Sequence, residues 1–181
     1  MHTDLADGAC WAIEQKVADP ARIALLDACH RGYGTLLGLV QEPGLFRAGV
    51  AWAAVTDSQM MYGVGWSDIL GETKRYGLPR QLGDPVADAE MLKQHSPLQQ
   101  AARLRNPLLL AHGGWDARVP VVHFEILRDV LKAHNPHLQS LLYPEEAHGW
   151  MHTDSAVDFW TRVERFLAQH LAATWEWPAA G

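Results

Sequence analysis

The run Arg22-Ile-Ala-Leu-Leu-Asp-Ala-Cys-His-Arg-Gly-Tyr-Gly-Thr-Leu-Leu-Gly-Leu39 constrains this chain more than any other part of it. Ile23 to Leu26 is an apolar stretch too short for a helix, and the turn signal Asp19-Pro20 precedes it, so it reads as a buried strand. From Gly32 onward, Tyr33, Leu36, Leu37 and Val40 recur at helical spacing until Pro43-Gly44 stops the pattern. Between strand and helix lies a tight turn with Cys29 at its apex. A turn of this kind lifts one side chain above the end of a sheet and sets it at a helix N-terminus. The helix dipole and the free N–H groups there favour a thiolate and a developing oxyanion.

The same alternation continues along the chain. Asp4 can cap a helix with apolar positions Leu5, Ala9, Ala12 and Ile13, ending near Val17. Phe46 to Val55 is a second apolar run, read as a parallel strand buried on both faces. Thr56 to His95 is irregular and punctuated by glycine and proline, and so long a connection is usually functional. Ser96-Pro97 has the form of a helix start. Leu108 to Ala111 is a third strand, Val121 to His134 a helix, Leu138 to Tyr143 a fourth strand, and Ser155 to Leu171 a final helix. The tail, residues 172–181 with Trp175 and Trp177, reads as frayed. Strands alternating with helices predict an α/β domain spanning 1–181, with a mostly parallel sheet of four strands and helices on both faces.

Composition narrows the function. At 181 residues with a net charge of −6 the chain suits one soluble domain, and no run of basic residues offers a nucleic-acid surface. No stretch reaches the length of a membrane span, and no secretory signal is visible in the first twenty residues. Two cysteines, Cys10 and Cys29, make no disulfide framework, which points to a reducing, cytoplasmic setting. Of the eight tryptophans, Trp66, Trp115 and Trp150 fall in expected loops, where they can line a pocket.

Three motifs together carry a resemblance. Asp19-Pro20-Ala-Arg22-Ile23-Ala24 leads into the turn and Gly32-Tyr33-Gly34-Thr35-Leu36, then come His112-Gly113-Gly114-Trp115-Asp116-Ala117-Arg118-Val119-Pro120 and Tyr143-Pro144-Glu145-Glu146-Ala147-His148-Gly149-Trp150. In that order they resemble the catalytic domain of the prolyl oligopeptidase family, an α/β-hydrolase fold. The resemblance covers nearly the whole chain. It implies that residues 56–95 are a cap or lid, and that further strands of the fold precede Met1. It also implies a hydrolase acting on small esters, short peptides or acyl-amides. In the family the turn reads Gly-x-Ser-x-Gly-Gly-Tyr; here it reads Asp27-Ala28-Cys29-His30-Arg31-Gly32-Tyr33.

Acyl transfer needs a nucleophile, a base, an acid that orients the base, and donors for the oxyanion. The order Cys29, Asp116, His148 is that of nucleophile, acid and histidine in α/β-hydrolases. Asp116 and His148 both fall in loops at strand carboxyl ends, where open α/β sheets bind ligands. Dienelactone hydrolases use a Cys-His-Asp set on the same fold, so a working Cys29 is one reading; a small buried thiol standing where a serine was is the other. The backbone N–H of His30 is one oxyanion donor, and the resemblance places the second upstream of Met1, so weak activity is expected.

Asp27 and Arg31 stand where glycines normally let helix and strand approach, either as an ion pair across the turn or as the cause of a relaxed elbow. Arg31 is also a candidate substrate contact, with Tyr33, Trp115 and Trp150. His148, His152, Glu145 and Glu146 lack the helical spacing of a metal site, so no metal and no cofactor is expected. The alternative function is a catalytically inactive remnant serving as a structural or assembly module. Without strands upstream, Ile23 to Leu26 forms an open sheet edge, which predicts self-association.

Overall fold

In the computed structural model, residues 2–63 and 67–172 are described. Trp66 and the tail beyond Ala172 lie outside them. Four strands, β1 (Ala24–Ala28), β2 (Ala48–Trp52), β3 (Leu108–Gly113) and β4 (Leu138–Tyr143), form one parallel sheet in the order β1-β2-β3-β4. Ala24 pairs with Ala48, Gly49 with Leu108, and Leu108 with Leu138. All six residues of β3 are buried, as the apolar run Leu108 to Ala111 requires of a strand covered on both faces. At the sheet margins, β1 and β4 are only half covered.

The helices divide between the two faces, as the alternation predicts. Leu36, Leu39 and Val40 of α2 (Cys29–Gln41) and Phe124, Leu127 and Leu131 of α6 (Val122–Lys132) pack with Leu108 and Leu110 in one core cluster. Phe159, Val163 and Phe166 of α7 (Thr153–Leu171) pack with Val50, Leu109 and Ala111 in another. Alternate residues of the central strands thus face opposite cores, the period-two consequence of the pleat. Truncating any of these buried phenylalanines to alanine costs about 3–5 kcal/mol, a large part of a domain's stability. Helix α1 (His2–Glu14) lies against α2.

Several boundaries differ from the sequence reading. Asp4 sits within the first turn of α1, where a carboxylate complements the helix dipole, rather than before it. Helix α1 stops at Glu14 and the chain reverses through Lys16, whose φ is +58°. Strand β2 ends at Trp52 because Ala53 adopts a φ of +47°, which turns the chain out of the sheet. Ser96-Pro97 starts turns and a 3₁₀ segment, Ala101–Arg103, rather than an α-helix; Ser96 Oγ still accepts from Gln99 N at 3.3 Å.

Between β2 and β3 the described chain carries only short helical pieces: α3 (Met60–Gly63), a π-turn over Thr73–Gly77, α4 (Leu78–Gln81) and α5 (Ala89–Gln94). This segment is tied down at both ends. Tyr33 Oη donates to His95 O at 2.7 Å, and Asp68 N donates to Ala117 O at 2.8 Å.

Candidate active site

The sharpest local feature lies between β1 and α2. The strand runs to Ala28 and the helix begins at Cys29, so the expected loop up to Gly32 is absent and a single residue makes the turn. Cys29 accomplishes this with a φ of +55°, a left-handed conformation that a side chain rarely adopts and that clusters at functional sites. Its sulfur accepts from the His30 backbone N–H. Helix and strand approach closely at Gly32, where a Cβ would stand 2.8 Å from Ala54 Cβ and 3.3 Å from Asp27 O. The glycine this turn needs is therefore three residues after Cys29.

That leaves room for Asp27 and Arg31. Asp27 is on an edge strand with its side chain 34% exposed, and its Oδ2 lies 3.5 Å from Arg31 Nε, itself on a side chain 79% exposed. Its Oδ1 accepts from Ala28 N at 2.8 Å. Of the two expected arrangements, the ion pair is the one observed, and it points outward. Arg31 is thus no lining residue of the cavity beside Cys29, a correction that follows from its partner lying on the solvent side.

Asp116 and His148 arrive from the loops after β3 and β4. The Asp116 side chain is fully buried and accepts from Arg118 N at 2.9 Å and Val119 N at 2.8 Å. Its two oxygens lie 3.0 and 2.9 Å from His148 Nδ1. His148 in turn meets the Cys29 thiol closely enough that each shifts the other's titration. The bonds to Asp116 and then to Cys29 push the His148 imidazole up to about 9, outweighing its partial burial. The bond to His148 holds the Cys29 thiol below its ordinary value, against the opposing effect of burial. Both shifts favour a thiolate beside an imidazolium.

Two neighbours had no role in the sequence reading. His112, at the end of β3, lies behind Asp116, with Nε2 2.9 Å from Val119 O and 3.4 Å from Asp116 Oδ2. Burial lowers its pKa, so it is a neutral donor to the acid's loop. Glu146, only 1% exposed, accepts from Met151 N at 2.5 Å, His152 N at 3.0 Å and His152 Nδ1 at 2.9 Å, and from the Ser155 side chain. Burial pushes its carboxyl up, but these donors prevail and hold it down at about 2. Its sequence signal was visible, a glutamate two residues before the histidine, yet the neighbours that make it an acceptor lie up to nine residues downstream.

The two loops are locked together through backbone. Gly114 N donates to Tyr143 O at 2.8 Å and Trp115 N to Glu146 O at 2.9 Å. A Cβ at Gly113 would collide with the carbonyl oxygens of Ala147 and Glu146, and one at Gly114 with that of Pro144. The glycine pair in His-Gly-Gly is thus what lets the histidine loop close onto the acid loop.

Beside Cys29 lies a cavity of about 300 Å³, lined by His30, Val55, Met61, Leu78, Leu82 and Val119 among others. Arg118 stands at this cavity too, held by Asp68 through a bidentate pair at 2.7 and 2.9 Å. Tyr33 lines an adjacent space of about 210 Å³ that shares His30. Trp115 and Trp150 do not serve the cavity as expected. Trp115 is 67% exposed, and Trp150 packs at 4.7 Å from Tyr143 and 4.8 Å from Phe159, because residue 150 falls over the apolar face of α7. Among the described residues no cluster of three or more ligating side chains is placed to hold a metal, and no helix is long and apolar enough to cross a membrane. Cys10 and Cys29 are both free thiols.

Comparison with known proteins places this geometry in context. The sequence profile of the prolyl oligopeptidase family matches residues 2–174. Dipeptidyl aminopeptidase BIII of Pseudoxanthomonas mexicana is 30% identical over 94% of this chain, which spans 25% of that protein. The human acylamino-acid-releasing enzyme is 29% identical over 95% of the chain, which spans 24% of it. The uncomplexed acylaminoacyl peptidase of Pyrococcus horikoshii superposes with a TM-score of 0.84 at 23% identity, covering 98% of this chain and 29% of that one. This last likeness speaks for the fold alone. The chain spans about a quarter of the length of these relatives.

Proposed function

The chain belongs to the prolyl oligopeptidase family, and on that premise we propose that it is an acyl hydrolase in which Cys29 replaces the family's serine. The observation that carries this is His148 set between Asp116, 2.9 Å from its Nδ1, and the Cys29 thiol, at the carboxyl ends of β3, β4 and β1, with Cys29 held at a φ of +55°. Homologues that are peptidases support the hydrolase class.

The chemistry runs as follows. The Cys29 thiolate attacks an acyl carbonyl carbon, forming a C–S bond while the carbonyl electron pair moves onto oxygen. The His30 N–H, which faces the sulfur at rest, takes up the oxyanion. His148 Nε2 gives its proton to the departing alcohol or amine as that bond breaks. Water then attacks the thioester, His148 accepts the water's proton, and the thiolate leaves. Asp116 holds the imidazole in the required tautomer and stabilises its charge. The apolar cavity beside Cys29 receives the acyl side chain of a small ester or short peptide, and residues 56–95 cover it as a lid.

With His30 as the single assigned oxyanion donor, turnover is slower by about 10²–10³ than with two. A free thiolate fits a reducing, cytoplasmic setting.

The test is selective acylation. Wild-type protein treated with p-nitrophenyl acetate near pH 7 gains one acetyl group at Cys29 and not at Cys10, and releases it with time. Cys29→Ser retains part of the rate only where His148 is placed to take the hydroxyl proton, because a hydroxyl depends on that base even more than a thiol does. Equal acetylation of Cys10 and Cys29 overturns the proposal and favours an inactive module.

A further inference from the structure

Residues 144–152, the loop that carries His148, have no regular secondary structure to fix them, yet the imidazole must stay in register with Asp116 on one side and Cys29 on the other. Its first half is held by the acid loop, through Gly113, Gly114 and the bond from Trp115 N to Glu146 O. Its second half is held by the packing of Trp150 on Tyr143 and Phe159 and by the hydrogen bonds of one carboxylate. The Glu146 carboxylate is buried and collects the Met151 and His152 amides, His152 Nδ1 and the Ser155 side chain from the start of α7.

We infer that Glu146 is a positioning residue for His148: its carboxylate closes the loop over residues 146–152 and so holds the imidazole between Asp116 and Cys29. Only an ionised carboxylate suits the post. Four donors converge on it, and it offers acceptors only, whereas a glutamine would turn an NH₂ group toward some of them. The same buried carboxylate pins α7 to the end of β4, so the loop inherits the rigidity of the second core cluster, to which Phe159 and Val163 belong. Glu146 touches neither the sulfur nor the space for substrate, and it acts through His148. The inference takes its catalytic consequence from the hydrolase reading above.

The test compares wild type with Glu146→Gln, both checked for folding by circular dichroism. Three quantities are read: the NMR titration of the His148 imidazole, alkylation of Cys29 by iodoacetamide, and hydrolysis of p-nitrophenyl acetate. The groups facing His148 are Asp116 of the acid loop, Cys29 at the start of α2, His112 at the end of β3, and Asp68 of the 53–107 segment. None of them is altered by the change. In the variant, the His148 titration falls by about one pH unit or more toward the ordinary histidine range, and Cys29 alkylation at pH 7 slows about tenfold. The turnover number drops with it, while KM stays within about twofold, as expected when alignment rather than binding is lost.

Should Glu146→Gln fail to fold, Ser155→Ala removes a single donor and is expected to move the same readings in the same direction by less. Unmoved titration and alkylation in the folded variant overturn the inference. Because the His148 titration needs no substrate, the two proposals fail separately. A wild type whose His148 titrates near 9 and responds to Glu146, but which hydrolyses no ester, supports the positioning role and overturns the hydrolase reading.

Discussion

The two sides of the site are built to different standards. On the acid–histidine side, both carboxylates are buried, their acceptor sites are filled by backbone and side-chain donors, and two glycines let the loops meet backbone to backbone. On the cysteine side, the family's flanking glycines are replaced by Asp27 and Arg31, whose 3.5 Å contact is open to solvent. A buried, fully bonded carboxylate resists change because every lost partner leaves a desolvated group behind. An exposed ion pair is worth only about 0–1 kcal/mol. The comparison teaches that the elbow tolerates these substitutions because its indispensable contact lies at Gly32, whereas the two loops have no such slack.

The contrast can be broken most forcefully at the histidine. His148→Ala removes the proton carrier and the partner that lowers the Cys29 pKa, so ester turnover falls by about 10²–10⁴ and iodoacetamide labelling of Cys29 at pH 7 slows with it. Labelling that stays at the wild-type rate means that the thiol owes nothing to the imidazole.

Gly113→Ala tests the loop contact. A methyl there meets the carbonyl oxygens of Ala147 and Glu146, which are backbone and cannot rotate away. The expected loss is about 1–3 kcal/mol in urea unfolding, together with most of the activity. A variant as stable and active as wild type shows that the histidine loop has room to move.

A pH profile sharpens the electrostatic side. The lowered Cys29 pKa and the His148 value of about 9 bracket a window in which thiolate and imidazolium coexist. Alkylation therefore rises at a pH below that of an ordinary thiol and changes again near 9, where His148 gives up its proton. For stability the sign follows from His148 binding its proton more tightly when folded. That contribution is complete below the unfolded histidine pKa of about 6.5, and fades as the pH rises through about 9. In His148→Gln this part of the decline in Tm is absent. A single alkylation step at the pH of an ordinary thiol shows that no such ion pair forms.

The smallest effect is expected at the elbow. Replacing Asp27 and Arg31 together by glycine deletes an exposed pair, so stability changes by no more than about 1 kcal/mol and turnover stays within a few-fold. A large rise in activity indicates instead that the two side chains distort the turn and that Gly32 alone does not secure it.

Much of this was legible along the chain. The order of strands and helices follows from apolar runs and helical spacing, because a buried strand and an amphipathic helix each announce their own periodicity. The grouping of Cys29, Asp116 and His148 was also legible, since a parallel sheet carries every loop at its carboxyl end to one edge. Boundaries were less so: β2 stops at Trp52 and α2 begins at Cys29 because of two left-handed residues, and φ leaves no mark on an alanine or a cysteine.

Tertiary structure alone decided the rest. Trp150 looked like a pocket residue, and instead packs, half-buried, on Tyr143 and on Phe159 of α7. Arg31 looked like a substrate contact, and lies 3.5 Å from Asp27 on a side chain 79% exposed. Glu146 is the clearest instance. Sequence placed it beside His148 but could not supply the Met151 and His152 amides or Ser155, which reach it only when the loop folds back. Periodicity reports which face of an element is buried; it carries no information about which donors converge on one carboxylate, because that depends on how separate elements pack.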